Sequence, residues 1–208
     1  MKKRGAFIVI DGGEGVGKST QLGRLRKHFG DELVFTREPG GSPYAEEIRK
    51  IALHSENAGA ANAKTMFALF WAGRADHLNH TIVPALESGR SVISDRFDSA
   101  TFGLQIYGQR ARELEGLFWT MREHYLADCA PDTYVFLDVE PRVALQRNLA
   151  ERTENNHFDE RDLEFHRRVR LGLQTFASLV PVPTHNIDAS QPIDKVSEDL
   201  VGVVSKYV

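Results

Sequence analysis

A glycine-rich segment near the start of the chain carries the clearest chemical pattern in the sequence. The run GGEGVGKS fits G-x-x-x-x-G-K-[ST], with its fixed positions at Gly12, Gly17, Lys18 and Ser19. Glycines let successive backbone N–H groups turn toward phosphate oxygens, and the N-terminus of a following helix adds its dipole. We therefore predict a nucleoside triphosphate site, in which Lys18 reaches the outer phosphates and Ser19 ligates Mg²⁺.

The whole loop is predicted to bind the triphosphate. Its residues are Gly12, Gly13, Glu14, Gly15, Val16, Gly17, Lys18, Ser19 and Thr20. Such loops occur in GTPases, ATPases, motors and small-molecule kinases. The chain contains no N-K-x-D guanine motif and is short for a motor. A kinase of nucleotides or metabolites is therefore the favoured class.

Further charged residues follow other apolar runs. Asp95 and Arg96 come after SVIS, where a carboxylate can help to hold Mg²⁺ through water and an arginine can bind phosphate, although a simple ion pair is the competing interpretation. Arg37 and Glu38 come after LVFT. In the segment LFWAGRADH, Phe70 and Arg74 are four residues apart, so they share one helix face and could stack on a base and bond its edge.

The elements that must position these residues alternate between short apolar runs and amphipathic segments. The predicted strands are 7–10, 33–36, 91–94, 133–139 and 184–188; the predicted helices are 18–29, 43–54, 60–88, 99–127, 141–152, 160–179 and 192–207. This alternation predicts an α/β fold, a doubly wound five-stranded parallel sheet with helices on both faces. Ligands then lie beyond the carboxyl ends of the strands.

Composition indicates an ordinary globular protein. The 208 residues are 41% hydrophobic and 26% charged, and we expect one domain over 1–208. The formal net charge of −3 does not favour a nucleic-acid partner. Cys129 is the single cysteine, so no internal disulfide can form. The first apolar run ends at Asp11, too short for a signal or a membrane span, and we expect a cytoplasmic protein without a membrane partner.

Taken together, these motifs resemble the thymidylate kinase family, which phosphorylates dTMP to dTDP. The similarity covers essentially the whole chain and rests on the P-loop, TREPGG, EEIRK, the Phe–Arg pair, DRF, FDERDLEFHRRVR and IDASQP. It implies the P-loop kinase fold, ATP with Mg²⁺ as phosphoryl donor, dTMP as acceptor and a homodimer.

The resemblance also implies individual roles. Glu38 and Pro39 line the thymidine pocket, Arg49 and Arg96 hold the acceptor phosphate, and Asp11 and Asp95 lie near Mg²⁺ and the phosphates. Phe70 stacks on thymine and Arg74 bonds its carbonyl edge. The residues implied to approach the two bases are Thr101 and Gln105 at the acceptor, and Ser190 and Gln191 at the donor adenine.

The charged segment 151–162 is expected to act as a short lid. Glu14 places an acid in the P-loop where some relatives have arginine, so positive charge must come from elsewhere. We predict that Arg152, with Arg147 as the second candidate, supplies it on closure, which would also exclude water. Lys18, Arg96 and Asp11 complete the predicted catalytic set.

Departures from the family pattern leave alternatives open. Leu104 stands where the family has a tyrosine against the sugar, Gly103 and Ile106 also differ, and His157 replaces a lid arginine. The alternative is a kinase of another pyrimidine monophosphate, such as dUMP, dCMP or a 5-modified deoxyuridylate. A more remote alternative is a nucleotide-binding regulator without catalysis.

Overall fold

Five short apolar runs form one parallel sheet in the computed structural model, which describes residues 4–151 and 161–208. The strands are β1 (Phe7–Gly12), β2 (Leu33–Arg37), β3 (Ser91–Asp95), β4 (Thr133–Asp138) and β5 (Thr184–Asp188). Their order across the sheet is β2-β3-β1-β4-β5, and every pairing is parallel. The predicted strands and the predicted fold class are confirmed.

Nine α-helices flank this sheet within the described residues. They are α1 (Lys18–Phe29), α2 (Pro43–His54), α3 (Ala63–His77), α4 (Val83–Glu87), α5 (Asp98–Thr101), α6 (Glu115–Leu126), α7 (Pro141–Glu151), α8 (Leu163–Leu179) and α9 (Ile193–Val204). The first two have the predicted bounds. No helix in this part of the chain combines the length and apolar character that a bilayer crossing requires.

The helices form two layers, one on each face of the sheet. All six residues of β1 are buried. Phe7 and Val9 join a core cluster with residues of α3, α6 and α8, whereas Ile8 and Ile10 join a second cluster with residues of α1 and α9. Because successive strand side chains point to opposite faces, one continuous apolar run serves both layers.

The predicted helix over 99–127 is wrong as a single element. The chain forms α5, then a π-helical segment (Phe102–Gly108), then an interruption, and only then α6. Arg110 has the left-handed backbone angle φ 62°, which ends the regular helix. The predicted helix over 60–88 likewise contains a π-helical turn (Leu78–Ile82) between α3 and α4.

The π-helical segment packs closely against α8. A Cβ atom at Gly108 would lie 2.7 Å from the Phe165 ring, and one at Gly172 would lie 2.7 Å from the Tyr107 Cβ. The two glycines therefore permit this close approach. This contact holds the segment that carries Leu104 and Gln105 in place, and Leu104 lies near residues that follow the carboxyl ends of β2 and β3.

Candidate active site

The loop between β1 and α1 wraps around a buried lysine. Gly15 and Gly17 have φ angles of 72° and 90°, which L-residues with a side chain rarely adopt. The Lys18 amine donates to the carbonyls of Gly12, at 3.0 Å, and Gly13, at 2.9 Å. Burial and then the nearby Arg96 cation lower the pKa of Lys18 from its ordinary value. A polyanion bound here would find a fixed, weakly hydrated cation.

Arg96 connects this loop to the end of β3. Its Nη1 donates to Asp11 Oδ1 at 3.0 Å and to the Gly12 carbonyl at 3.1 Å, and its Nη2 donates to Glu14 Oε1. The backbone of Arg96 is left-handed, with φ 65°, a strained conformation for a residue with a side chain. Such strain indicates that the surrounding contacts fix the direction of this guanidinium.

Asp11 lies beneath Arg96 and is fully buried. Its Oδ2 accepts a hydrogen bond from Ser99 Oγ at 2.6 Å, and Oδ1 also accepts from the Gly12 N–H at 2.7 Å. Burial raises the pKa of the Asp11 carboxyl, while the positive charge of Arg96 acts in the opposite direction. Both Asp11 oxygens thus already accept hydrogen bonds from protein groups. Asp11 therefore supports Arg96 from the protein interior.

A large cavity of about 690 Å³ opens along the P-loop. It brings together predicted donor residues from distant parts of the sequence, whereas Gly12 and Gly13 line a neighbouring cavity instead. The donor residues in the large cavity are Glu14 to Thr20 from the loop and α1, Arg147 from α7, and Ser190 and Gln191 after β5. The Arg147 Nη1 donates to the Ala189 carbonyl at 2.8 Å, so this arginine is tethered to the segment after β5. Arg152 and His157 lie outside the described residues.

A second and much smaller cavity is bordered by Arg96. Its lining includes five of the predicted acceptor residues: Glu38, Pro39, Phe70, Arg74 and Arg96. Phe97, Ala100 and Leu104 complete it. Arg49 does not line the cavity but donates from Nη1 to the Pro39 carbonyl at 2.8 Å, which supports the turn at its rim.

Arg74 is the main polar group of this second cavity and is 2% exposed. Its Nε donates to Glu38 Oε2 at 2.9 Å, and its Nη2 donates to the Phe97 carbonyl and to Thr101 Oγ1, both at 3.0 Å. Its Nη1 is buried and has no hydrogen-bond partner among the described residues. A buried donor in this condition is unfavourable unless a ligand satisfies it.

Gln105, on the π-helical segment, also has buried polar atoms without hydrogen-bond partners among the described residues. It is fully buried, and both its amide nitrogen and its amide oxygen lack partners in the described part of the chain. An amide offers one acceptor and two donor positions, which suit the edge of a nucleobase. The predicted acceptor site therefore contains unsatisfied hydrogen-bonding groups of both kinds.

A third cavity contains both residues of the predicted metal site, Ser19 and Asp95. The Oδ1 atom of Asp95 is buried and has no hydrogen-bond partner within the described ranges. A carboxylate and a hydroxyl can bind a hard divalent cation through oxygen, either directly or through a metal-bound water. These residues therefore fit a divalent metal ion bound next to the P-loop.

Several residues of the site were not predicted from the sequence. Ser99 bonds Asp11, and Phe97 and Ala100 line the smaller cavity, although nothing in their types indicated this. His77 contacts Glu38 Oε1 at 3.1 Å. Its position three residues after Arg74, on the same helix face, is the one signal that could have found it.

The fold and the loop define the class of the protein. A parallel α/β sheet with a P-loop after its central strand, with one cavity along that loop and a second beside Arg96, is the architecture of P-loop kinases. The family model described as Thymidylate kinase matches residues 10–200.

Curated relatives agree with that match. The chain is 35% identical over 203 residues to a thymidylate kinase of Clostridium novyi (strain NT), covering 96% of this chain and 98% of that protein. It is 38% identical over 210 residues to a thymidylate kinase of Teredinibacter turnerae (strain ATCC 39867 / T7901), covering 98% and 99%. The chain therefore belongs to the thymidylate kinase family and is a nucleoside monophosphate kinase, a phosphotransferase. Membership implies ATP-dependent phosphoryl transfer, which generally requires a divalent metal ion.

Proposed function

We propose that this enzyme transfers the γ-phosphate of ATP to dTMP in the presence of Mg²⁺, giving dTDP and ADP. The observation that carries the proposal is a pair of cavities connected through Arg96, which borders one of them and binds Gly12 and Glu14 of the P-loop beside the other. One is lined by the P-loop, and the other contains the unpartnered Nη1 of Arg74. The first suits a triphosphate and the second suits a flat base with hydrogen-bonding edges.

The acceptor cavity explains the choice of a pyrimidine with a carbonyl edge. Arginine can only donate hydrogen bonds, so Arg74 Nη1 requires an acceptor atom on the base, such as a carbonyl oxygen. The buried amide of Gln105 can complete the recognition, because it both donates and accepts. Phe70 supplies an apolar surface on which the ring can stack. A 4-amino pyrimidine would place a second donor against Arg74.

Phosphoryl transfer then depends on positioning and charge. The acceptor monoester has a second pKa of about 6, so it is mostly dianionic at neutral pH and requires no general base. Two polyanions must approach one another, and cations lower the repulsion between them. Lys18 is the proposed cation at the donor, and Arg96, supported by Arg49, is the proposed cation at the acceptor phosphate. Asp11 fixes Arg96 from behind.

We assign the metal site to Ser19 and Asp95. The hydroxyl of Ser19 would be a direct ligand, and the buried Oδ1 of Asp95 would accept from a metal-bound water. Bound Mg²⁺ would offset the charge of the donor phosphates during transfer.

Arg147 and Arg152 are proposed to take different parts. The tether between Arg147 and the Ala189 carbonyl keeps this side chain at the donor cavity. Arg152 therefore remains the better candidate for the arginine of the proposed lid at 151–162, which offsets the charge of Glu14. An Arg152→Ala enzyme that turns over within a few-fold of the wild type would contradict this role.

A homodimer and a cytoplasmic location complete the proposal. Several apolar side chains are exposed on the helices, including Ile51 on α2 and Leu117 on α6, and helix faces of this kind can pair two copies. Light scattering at micromolar concentration should give about twice the mass of the chain.

The test is ADP release from ATP and Mg²⁺ with dTMP, dUMP, dCMP, UMP and 5-hydroxymethyl-dUMP as acceptors. A clear preference in kcat/KM for dTMP over UMP and dCMP supports the proposal. A different preferred acceptor would favour the second candidate, a kinase of another pyrimidine monophosphate, for which the observation is that Leu104 lines the acceptor cavity. Tight ATP binding with no product from any acceptor would leave only a regulator.

A further inference from the structure

His77 is a buried side chain that the proposed chemistry does not yet use. It is the last residue of α3, its exposure is 0%, and both of its ring nitrogens have partners. Nδ1 lies 3.1 Å from Glu38 Oε1, and Nε2 lies 2.6 Å from Thr36 Oγ1. Because an ionised carboxylate only accepts hydrogen bonds, the proton on Nδ1 is donated to Glu38.

His77 and Arg74 together hold the Glu38 carboxylate at both of its oxygens. Arg74 Nε and Nη2 approach Oε2 at 2.9 Å and 2.8 Å, and His77 approaches Oε1. The two residues are three apart on α3, so they project from one face of the helix. Two fixed oxygens define the plane of the carboxylate, and the carboxylate in turn fixes the planar guanidinium of Arg74.

The orientation of Arg74 matters because one of its nitrogens remains unsatisfied. Nη1 is buried without a partner in the described residues, whereas Nη2 is engaged by Glu38, Phe97 and Thr101. A rotation of the guanidinium plane would move Nη1 away from the direction in which it can meet a ligand. Hydrogen bonds weaken steeply as their angle departs from linear.

The turn after Glu38 rests directly on the imidazole. A Cβ atom at Gly41 would lie 2.3 Å from His77 Nε2 and 2.5 Å from Thr36 Oγ1. The ring therefore also supports the turn that follows Pro39, at the rim of the acceptor cavity.

We propose that His77 is a positioning residue for acceptor recognition. By donating to Glu38 Oε1 it holds Arg74 Nη1 toward the acceptor base, and it thereby strengthens the preference for a base with a carbonyl at that edge over one with an amino group. The inference rests on the proposed function, because it assumes that the acceptor base occupies the cavity beside Arg74.

Two amide substitutions separate the two contacts of the ring. The amide nitrogen of asparagine falls near the position of Nδ1, so His77→Asn keeps the donor to Glu38. The amide of glutamine falls near Nε2, so His77→Gln keeps a partner for Thr36 and loses the donor to Glu38. Thr36→Val is the matched control that removes only the contact at Nε2.

Steady-state kinetics with dTMP and dCMP give the readout. The proposal predicts that His77→Asn and Thr36→Val stay within about threefold of the wild-type KM for dTMP. His77→Gln should raise that KM about tenfold, as expected for one lost hydrogen bond to a charged group, and reduce the dTMP-to-dCMP ratio of kcat/KM about tenfold. The KM for ATP and the kcat should change by less than about threefold in every variant.

Equal kinetics of the Asn and Gln variants, or a larger defect in His77→Asn or Thr36→Val, would overturn the proposal. Thermal unfolding of each variant shows whether a change in KM accompanies a loss of folding. Thr36→Val shows, without altering His77, whether loss of the contact at Nε2 alone raises the KM for dTMP. The wild type is assayed first: if it uses another pyrimidine monophosphate instead of dTMP, the proposed acceptor fails, and the same variants are compared on the acceptor that it does use.

Discussion

The P-loop part of the donor cavity and the acceptor cavity are built in opposite ways. The P-loop is one continuous stretch whose carbonyls hold Lys18, and Ser19 and Thr20 at the start of α1 are exposed. The acceptor cavity is assembled from side chains of several elements, and its polar groups at Glu38 and Arg74 are buried. Phosphate can be bound by a local backbone shape, whereas a base must be read by side chains that the tertiary fold brings together.

Arg96 connects the P-loop with the acceptor cavity. It borders the acceptor cavity, and its guanidinium contacts the Gly12 carbonyl and Glu14 in the P-loop. A change in the donor loop can therefore reach the acceptor phosphate through one side chain. Variants that affect one cavity and spare the other test whether the separation is real.

The largest effect is expected at Lys18. Lys18→Ala removes the cation beside the transferred phosphate, and kcat should fall about 1000-fold, since a charge-stabilising group is lost in the transition state. Calorimetry should show dTMP binding that is unchanged within a few-fold. A loss of dTMP binding equal to the loss of kcat would contradict the separation of the cavities.

The corresponding change in the acceptor cavity is Arg74→Lys. Lysine keeps a positive charge against the buried Glu38 but has no nitrogen at the position of Arg74 Nη1. The protein should therefore fold, while the base loses its hydrogen-bond donor. We expect kcat/KM for dTMP to fall about 100-fold with the KM for ATP unchanged. Equal increases in both KM values would show that the acceptor residues also build the donor site.

The metal site lies beside the P-loop, and Asp95→Asn tests its charge. The substitution keeps the size of the side chain and removes the carboxylate, so the Mg²⁺ concentration at half-maximal activity should rise about tenfold, as for other groups that orient metal-bound water. Titration of activity with MgCl₂ at saturating ATP and dTMP measures this. An unchanged midpoint would remove Asp95 from the site.

The smallest effect is expected at the adenine end of the donor cavity. The side chain of Gln191 donates a hydrogen bond to the Asp188 carbonyl at 3.2 Å and lies near the surface. Gln191→Ala should raise the KM for ATP by about two- to threefold and leave dTMP kinetics unchanged. A tenfold rise in the KM for ATP would mean that side chains contribute as much to donor binding as they do to acceptor binding.

The two cavities also differ in how far the sequence predicted them. The five strands and the helix after the P-loop were predicted correctly, because they depend on local pattern and on apolar runs. The break between α5 and α6 was not predicted, since it depends on the left-handed Arg110 and on packing of the π-helical segment against α8. His77 and Ser99 were missed for a related reason: each acts on a residue far away in the sequence.

The most direct test of the account is ³¹P NMR of the wild-type enzyme with ATP, Mg²⁺ and dTMP. In the proposed reaction the phosphoryl group passes directly from ATP at the P-loop to dTMP in the acceptor cavity, without transfer to water. We therefore expect dTDP and ADP to appear in equal amounts, with little inorganic phosphate. ADP accompanied by inorganic phosphate, without dTDP, would contradict the proposed reaction.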